Sequence, residues 1–188
     1  MSRNHLKLAG VLASVLCAAC SAPPSGTEGS ASGRHYGQIE FTPCTLTGAV
    51  AAANVEALCG TFSVPENPAA PEGRKIDLRI AWLDADKAAT GLPDPVFFLA
   101  GGPGQAASDV ALPVSTALRQ VRKQRDIFLI DQRGTGGSNP LSCLGADGKE
   151  LPMDEHADPT EAYIQGYAAQ CATSLEGRAD PRFYPTSP

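Results

Sequence analysis

The sequence contains little that would take the chain to a nucleic acid or through a membrane. Its 15 Lys and Arg are outnumbered by 20 Asp and Glu, for a net charge of −5, whereas a phosphate backbone needs a basic partner. No apolar run approaches the roughly 18 residues of a membrane span. The 19 glycines and 16 prolines follow no collagen-like period and indicate loops. A hydrophobic share of 43% in 188 residues excludes wholesale disorder and suits one globular domain.

The first residues are predicted to direct export. A basic start precedes twelve apolar or small residues, 8–19, which suits a secretory h-region and is too short for a transmembrane helix. Two alanines in front of Cys20 resemble a bacterial lipobox, although Cys17 stands where that motif usually has Leu. We expect residues 1–19 to be a signal peptide and an acylated Cys20 to be the chain's only link to a membrane. The alternative is ordinary cleavage, which leaves a periplasmic or secreted protein.

Residues 20–35 are rich in Ser, Gly and Pro and show no apolar period. Such a composition is typical of a flexible tether between an anchor and a folded domain. We therefore expect the folded domain to occupy residues 36–188.

Four cysteines remain beyond the signal: Cys44, Cys59, Cys143 and Cys171. An even set in an exported chain predicts disulfides. Three pairings are open, and we favour Cys44–Cys59 with Cys143–Cys171 because these close the shortest loops. A zinc site is the alternative, but no C-x-x-C spacing occurs among these four and the histidines are distant in sequence.

The apolar patterns predict an α/β fold. Residues 76–83 alternate between apolar and polar side chains, which indicates a strand with one wet face and an antiparallel partner at 60–64. Residues 96–99 and 127–130 are continuously apolar, so both faces of these strands are expected to be covered. A helix with a stripe over 113–121 lies between them, which predicts a βαβ unit and a parallel sheet.

A last helix is predicted from Pro159 to about Leu175. Asp158 is expected to cap it, and Glu161 completes a capping box. Its inner stripe is expected to consist of Ile164, Tyr167, Ala168, Cys171 and Leu175.

The first candidate for chemistry is a glycine turn formed by Gly101, Gly102, Pro103 and Gly104. It follows the strand at 96–99, and ligands of open α/β sheets bind beyond such strand ends. Adjacent glycines let main-chain N–H groups approach a ligand, and in a hydrolase those groups stabilise an oxyanion. A plain strand-to-loop turn is the alternative. Phosphate binding is a weaker hypothesis, because neither G-x-G-x-x-G nor G-x-x-x-x-G-K-[ST] occurs.

The second candidate turn follows the strand at 127–130 and reads D-Q-R-G-T-G-G-S. Its first residues are Asp131, Gln132, Arg133 and Gly134. We favour a structural role, in which Asp131 and Arg133 form a buried ion pair that stiffens the turn. These groups are expected to shape a site and not to attack a substrate.

Together the two turns resemble those of the proline iminopeptidases, an α/β-hydrolase family, and more closely its secreted branch, the tripeptidyl aminopeptidases. The resemblance runs from about residue 39 to the end and is most specific over 94–143. It extends to F-T-P-C at 41–44, C-G-T at 59–61, V-P-E at 64–66, D-P-V-F-F-L at 94–99 and S-N-P-L at 138–141.

The resemblance implies the N-terminal portion of an α/β-hydrolase fold over residues 36–188, with core motifs from about residue 94. It also implies an oxyanion-hole N–H from the Gly101–Gly102 turn and a Ser-Asp-His triad that cleaves peptides without a cofactor. The chain departs from this pattern. It has no G-x-S-x-G, and neither His35 nor His156 follows a nucleophile and an acid.

We therefore expect an N-terminal fragment of an exported aminopeptidase-like enzyme. The fragment is expected to be inactive, with the peptide substrate bound by the full-length parent. An exported binding module without catalysis and a fragment of a related carboxylesterase stay open. The sequence gives no substrate length and no oligomeric state.

Overall fold

The computed structural model describes residues 33–48, 54–86, 92–102, 104–153 and 160–184. The predicted signal peptide, Cys20, and the tether up to residue 32 lie outside the described residues. The elements follow one another as β1 Arg34–Tyr36, β2 Ile39–Thr47, β3 Asn54–Pro65, β4 Lys75–Leu83, β5 Val96–Leu99, α1 Ala111–Ala117, α2 Arg119–Arg122, β6 Ile127–Ile130 and α3 Glu161–Leu175. Short 3₁₀ turns lie at Ser108–Val110 and Pro181–Phe183.

The six strands form one sheet in the order β1-β2-β3-β4-β6-β5. Four of its five pairings are antiparallel, and only β5 and β6 run parallel. The α/β prediction is therefore wrong. The described chain is a curled, mostly antiparallel mixed sheet with few helices, and not the helix-flanked parallel sheet of an α/β-hydrolase. The prediction failed because each apolar run forms a strand of only four residues. The longer strands β2, β3 and β4 make up most of the sheet.

The partner predicted for β4 is confirmed. β3 pairs with β4 antiparallel, and Gly60 lies opposite Ile80. The expected wet face is wrong for the second half of β4, because Ala81 and Leu83 are also buried. They lie in a core cluster that includes Val114 of α1, so apolar residues pack on both faces of the strand there.

Opposite faces of the sheet carry different cores. One face packs residues of β2, β3, β4 and β6 against α1 and the segment that leads into it. The other face is centred on aromatic rings: Trp82 lies 5.3 Å from Phe128 and 5.4 Å from Phe41, ring centre to ring centre. Such pairs add to the free energy gained by burial.

β5 lies at the edge of the sheet and is covered on one face only. Phe97 and Leu99 are 58% and 54% exposed, while Val96 and Phe98 pack against the core. Full coverage was predicted for both apolar runs; it is wrong for β5 and correct for β6, in which Ile127, Phe128 and Leu129 are buried. The difference follows from strand order, since β6 lies between β4 and β5.

The helices differ from their predicted limits. The helix predicted over 113–121 is divided at Leu118 into α1 and α2. α3 ends at Leu175 as predicted, but its N-cap is Thr160, whose side chain accepts a hydrogen bond from the Tyr163 N–H. Asp158 and Pro159 lie outside the described residues. Of the predicted inner stripe Leu175 is buried and Cys171 is partly buried, whereas Ile164 is 55% exposed.

Two disulfides are formed, Cys44–Cys59 between β2 and β3 and Cys143–Cys171 between a loop and α3. This is the pairing that closes the shortest loops. A bridge between residues 15 positions apart contributes on the order of 3 kcal/mol by the chain-entropy model. Disulfides persist in oxidising compartments, so the bridges suggest a protein that works outside the cytoplasm.

Among the helices of the described ranges, none combines the length and the apolar character that crossing a membrane requires.

Candidate functional site

The two candidate turns leave the sheet side by side. In the parallel pair β5–β6, Leu99 lies opposite Ile130, so the segments that follow both strands emerge at the same edge. The first segment contains Gly101, Gly102 and Gly104, while Pro103 lies outside the described residues. The second begins at Asp131. Parallel pairing alone therefore brings the two turns together.

Asp131 holds the two segments together. Its carboxylate is 1% exposed and accepts hydrogen bonds from the Ser108 N–H and hydroxyl, both at 2.9 Å, and from the Gly137 N–H at 3.0 Å. Ser108 comes shortly after the glycine turn, and Gly137 belongs to the second turn. A buried carboxylate needs this number of donors to offset its loss of water. The side chain therefore fixes one turn against the other.

Ser138 fastens the second turn to β4. The side chain is fully buried; its hydroxyl donates to the Asp131 carbonyl and accepts from the Arg79 N–H, each at 2.7 Å. The hydroxyl is enclosed and already engaged, so it is not placed to attack a substrate. His35, the only histidine among the described residues, is exposed on β1.

Arg133 does not pair with Asp131, so the predicted buried ion pair is wrong. Its Nη1 donates to the carbonyls of Glu66 and Phe183, at 2.9 and 3.1 Å. The donors of Ser108 and Gly137 occupy Asp131, which leaves Arg133 to hold the C-terminal segment. The residue is a positioning group with a partly exposed cationic side chain.

Glu66 is a buried hub that the sequence did not reveal. Its carboxylate accepts from Arg74 Nε at 2.7 Å, from the Asp180 N–H at 2.9 Å and from the Tyr184 hydroxyl at 2.9 Å. Burial by itself would raise the pKa of Glu66, but the hydrogen bonds from Asp180, Arg74 and Tyr184 outweigh it and hold that pKa below its ordinary value. The resemblance included Glu66 in the V-P-E motif at 64–66 without giving it a role, and its side-chain partner nearest in sequence is Arg74, eight residues further along.

Tyr184 closes this cluster at the far end of the chain. Its hydroxyl donates to Glu66 and accepts from the Asn139 amide. Burial, together with the neighbouring Glu66 carboxylate, raises the pKa of Tyr184 above its ordinary value. Tyr184 therefore stays a neutral donor, and it links the C-terminal segment to the second turn.

Gly136 is required by the close approach of the two segments. Its φ is +49°, and a Cβ there would lie 2.3 Å from Asp131 Oδ2 and 2.6 Å from Ala106 Cβ. Any larger residue would push the second turn away from the carboxylate that anchors it.

The glycine turn itself is open to solvent. Gly101, Gly102 and Gly104 are exposed, and the one main-chain hydrogen bond found there runs from the Gln105 N–H to the Gly101 carbonyl at 3.3 Å. Within the described residues, no hydrogen bond uses the N–H of Gly102 or Gly104. Such groups are free to donate to a ligand.

A cleft of about 430 Å³ lies between the turns. Gly104 borders it from the first turn, residues 133–136 from the second, and Tyr184 from the C-terminal segment. The volume falls in the range of small-molecule sites. In the part of the chain that the structure describes, no three His, Cys, Asp or Glu side chains gather as a metal site would need.

Comparison with known proteins gives distant matches. No family model matches the chain. The chain is 30% identical over 112 residues to the serine protease Hip1 of Mycobacterium bovis and of two strains of Mycobacterium tuberculosis. The match covers 58% of this chain and 21% of each relative, so the chain spans about a fifth of the length of the curated relatives it matches. The similarity supports a serine hydrolase-like relationship.

We expect Gly136→Ala to lower the free energy of unfolding by about 3 kcal/mol, because it adds overpacking against Asp131 to the strain of a positive φ. Gly148→Ala is the matched control, since its φ is +76° but no atom lies within 4 Å of the added Cβ; we expect a loss of about 1 kcal/mol there. Urea unfolding followed by circular dichroism measures both. Equal losses would contradict the close contact at Gly136.

We expect the melting temperature of Glu66→Gln to fall less steeply than that of wild type as the pH is lowered. Because the folded-state pKa of Glu66 is lowered from 4.5, its stabilisation is fully present above that pH and is lost as the pH falls through the folded value. Thermal melts between pH 7 and pH 3 test this. Exposed Glu72→Gln serves as the control and should keep the wild-type profile. A Glu66→Gln profile parallel to wild type would show that Glu66 contributes nothing to acid sensitivity.

Proposed function

We propose that the chain is part of an exported serine peptidase and supplies the turn that binds the substrate's oxyanion. The observation that carries this proposal is the exposed glycine turn beside a cleft, with the N–H groups of Gly102 and Gly104 unengaged within the described residues. The distant similarity to a serine protease supports the same reaction class.

In the proposed reaction a serine attacks the scissile carbonyl, a histidine takes its proton and an aspartate orients the histidine. The carbonyl oxygen becomes negatively charged, and main-chain N–H groups of the glycine turn stabilise it. A second N–H would come from the residue that follows the nucleophile. No cofactor takes part in this scheme.

The triad is not assigned to this chain. The sequence has no G-x-S-x-G, Ser138 is buried and doubly hydrogen-bonded, and His35 is exposed on β1. We propose that the full-length parent supplies the three groups, and that residues 36–188 contribute the oxyanion turn and one wall of the substrate cleft.

The substrate proposed for the parent is a peptide, from whose amino terminus single residues or short peptides are released. The resemblance of both turns to those of secreted tripeptidyl aminopeptidases supports this assignment. Residues 1–19 act as a signal peptide in this proposal. The tether that was expected over residues 20–35 ends before β1, which begins at Arg34.

A second candidate is an exported binding module without catalysis. The enclosed hydroxyl of Ser138 favours it, because that serine is not placed to act as a nucleophile. The DNA beyond codon 188 separates the two candidates. A G-x-S-x-G in any reading frame supports the peptidase, and its absence favours the binding module.

We expect the 188-residue chain to show no turnover of aminoacyl or tripeptidyl p-nitroanilides or of a p-nitrophenyl ester, and no labelling by a fluorophosphonate. An oxyanion-binding turn without a nucleophile gives only a small residual acceleration. The assays use purified protein with buffer as the blank. Turnover that Ser138→Ala or His156→Ala abolishes would mean that this chain does hold a catalytic residue.

We expect Cys20→Ala to release the protein from the membrane fraction, because a thioether-linked lipid would be its only anchor. Mass spectrometry of the N-terminal peptide should find lipid on wild type and none on the variant. Cys17→Ala is the matched control and should stay membrane-bound. Identical fractionation of all three proteins, with no lipid mass, would contradict the anchor.

A further inference from the structure

Arg133 carries a charge that no carboxylate neutralises within the described residues. The ion pairs formed there join Arg34 to Asp84, Arg74 to Glu66, Arg125 to Asp94 and Arg182 to Asp180. Arg133 instead uses Nη1 on two main-chain carbonyls. Those carbonyls fix the guanidinium in place but leave its full positive charge uncompensated.

Among the described residues, the lining of the cleft beside Arg133 contains neither Asp nor Glu, and Arg133 is the only cationic residue in it. Pro140 and Leu141 form an apolar wall, while Thr135, Ser142 and Tyr184 contribute polar side chains. In the described residues, Nε and Nη2 of Arg133 donate no hydrogen bond. The guanidinium is therefore held in place, and its Nε and Nη2 remain able to donate hydrogen bonds.

We propose that Arg133 binds a carboxylate of a peptide ligand in this cleft. A planar guanidinium donates two parallel N–H bonds to a carboxylate, which fits a single anchored arginine. A phosphate fits less well, because phosphate sites usually gather several cationic side chains, whereas Arg133 is the only cation that lines the cleft among the described residues. The choice of a peptide as the ligand rests on the proposed function.

Because Arg133 lines the same cleft as the oxyanion turn, a carboxylate on the peptide would contribute to substrate specificity. Gly104 of the oxyanion turn and Arg133 line the same cleft of about 430 Å³. A peptide held by its carboxylate at Arg133 would lie with a main-chain carbonyl near the glycine turn. The site thus selects short peptides that carry an acidic group, either a terminal carboxylate or the side chain of Asp or Glu.

The test is a titration of the 188-residue chain, followed by ¹H–¹⁵N NMR, with three probes. They are trialanine with a free carboxylate, trialanine amide, and Ala-Ala-Glu amide. We expect trialanine to bind about tenfold more tightly than its amide, since a charge-assisted bidentate contact contributes at least that factor. Binding of Ala-Ala-Glu amide as tight as that of trialanine assigns the site to any carboxylate, whereas weak binding restricts it to the terminal one.

Arg133→Gln should abolish the preference for the acid over the amide, and Arg133→Lys should keep part of it. The control is Arg119→Gln, an exposed cation on α2, which should leave the preference unchanged. If Arg133→Gln unfolds, the comparison of acid with amide on the unaltered chain still decides. Equal affinity for both, or no binding of either, would overturn the proposal. Catalysis plays no part in the titration, so its outcome is independent of whether the parent is a peptidase.

Discussion

The geometry at the ends of β5 and β6 depends on one buried carboxylate. A charge removed from water must find its hydrogen-bond donors inside the protein, and Asp131 takes them from Ser108 and Gly137. Those contacts pull the second turn over the segment that follows the first. Gly136 must then lack a side chain, and Ser138 is brought within reach of the Arg79 N–H on β4. Among the described residues the open glycine turn has one main-chain hydrogen bond of its own, from the Gln105 N–H to the Gly101 carbonyl. Its position otherwise depends on this network.

Features encoded by nearby residues were predictable from the sequence. The alternation along β4 marks the strand and its partner β3, and the spacing of the cysteines favours the bridges that form. The fold class was not predictable in this way. It depends on which strands become neighbours and in which direction they run, and an apolar run of four residues gives no information on either point. The two runs do pair in parallel, as the predicted βαβ unit requires, but β4 joins β6 antiparallel, so the sheet as a whole is not parallel.

For the candidate site, the sequence likewise indicated which residues belong to it but not which of them contact one another. The sequence identified the glycines and the charged groups and placed each turn at the end of a predicted strand. It did not reveal which groups pair. Asp131 and Arg133 are close in sequence, yet Asp131 bonds to Ser108, 23 residues away, and Glu66 bonds to Tyr184, 118 residues away. Partners are chosen by spatial proximity, which a linear pattern does not contain.

The place of β5 in the sheet also determines when that strand can fold. During synthesis β5 leaves the ribosome before β6, yet among the described strands its only hydrogen-bonded neighbour is β6, which separates it from β4. The nascent chain must therefore carry Val96–Leu99 unpaired until Ile127–Ile130 has been made. An apolar strand that remains unpaired is prone to aggregate. Two of its side chains remain exposed even after the sheet has formed. The folded protein therefore still presents an apolar edge that could associate with another chain.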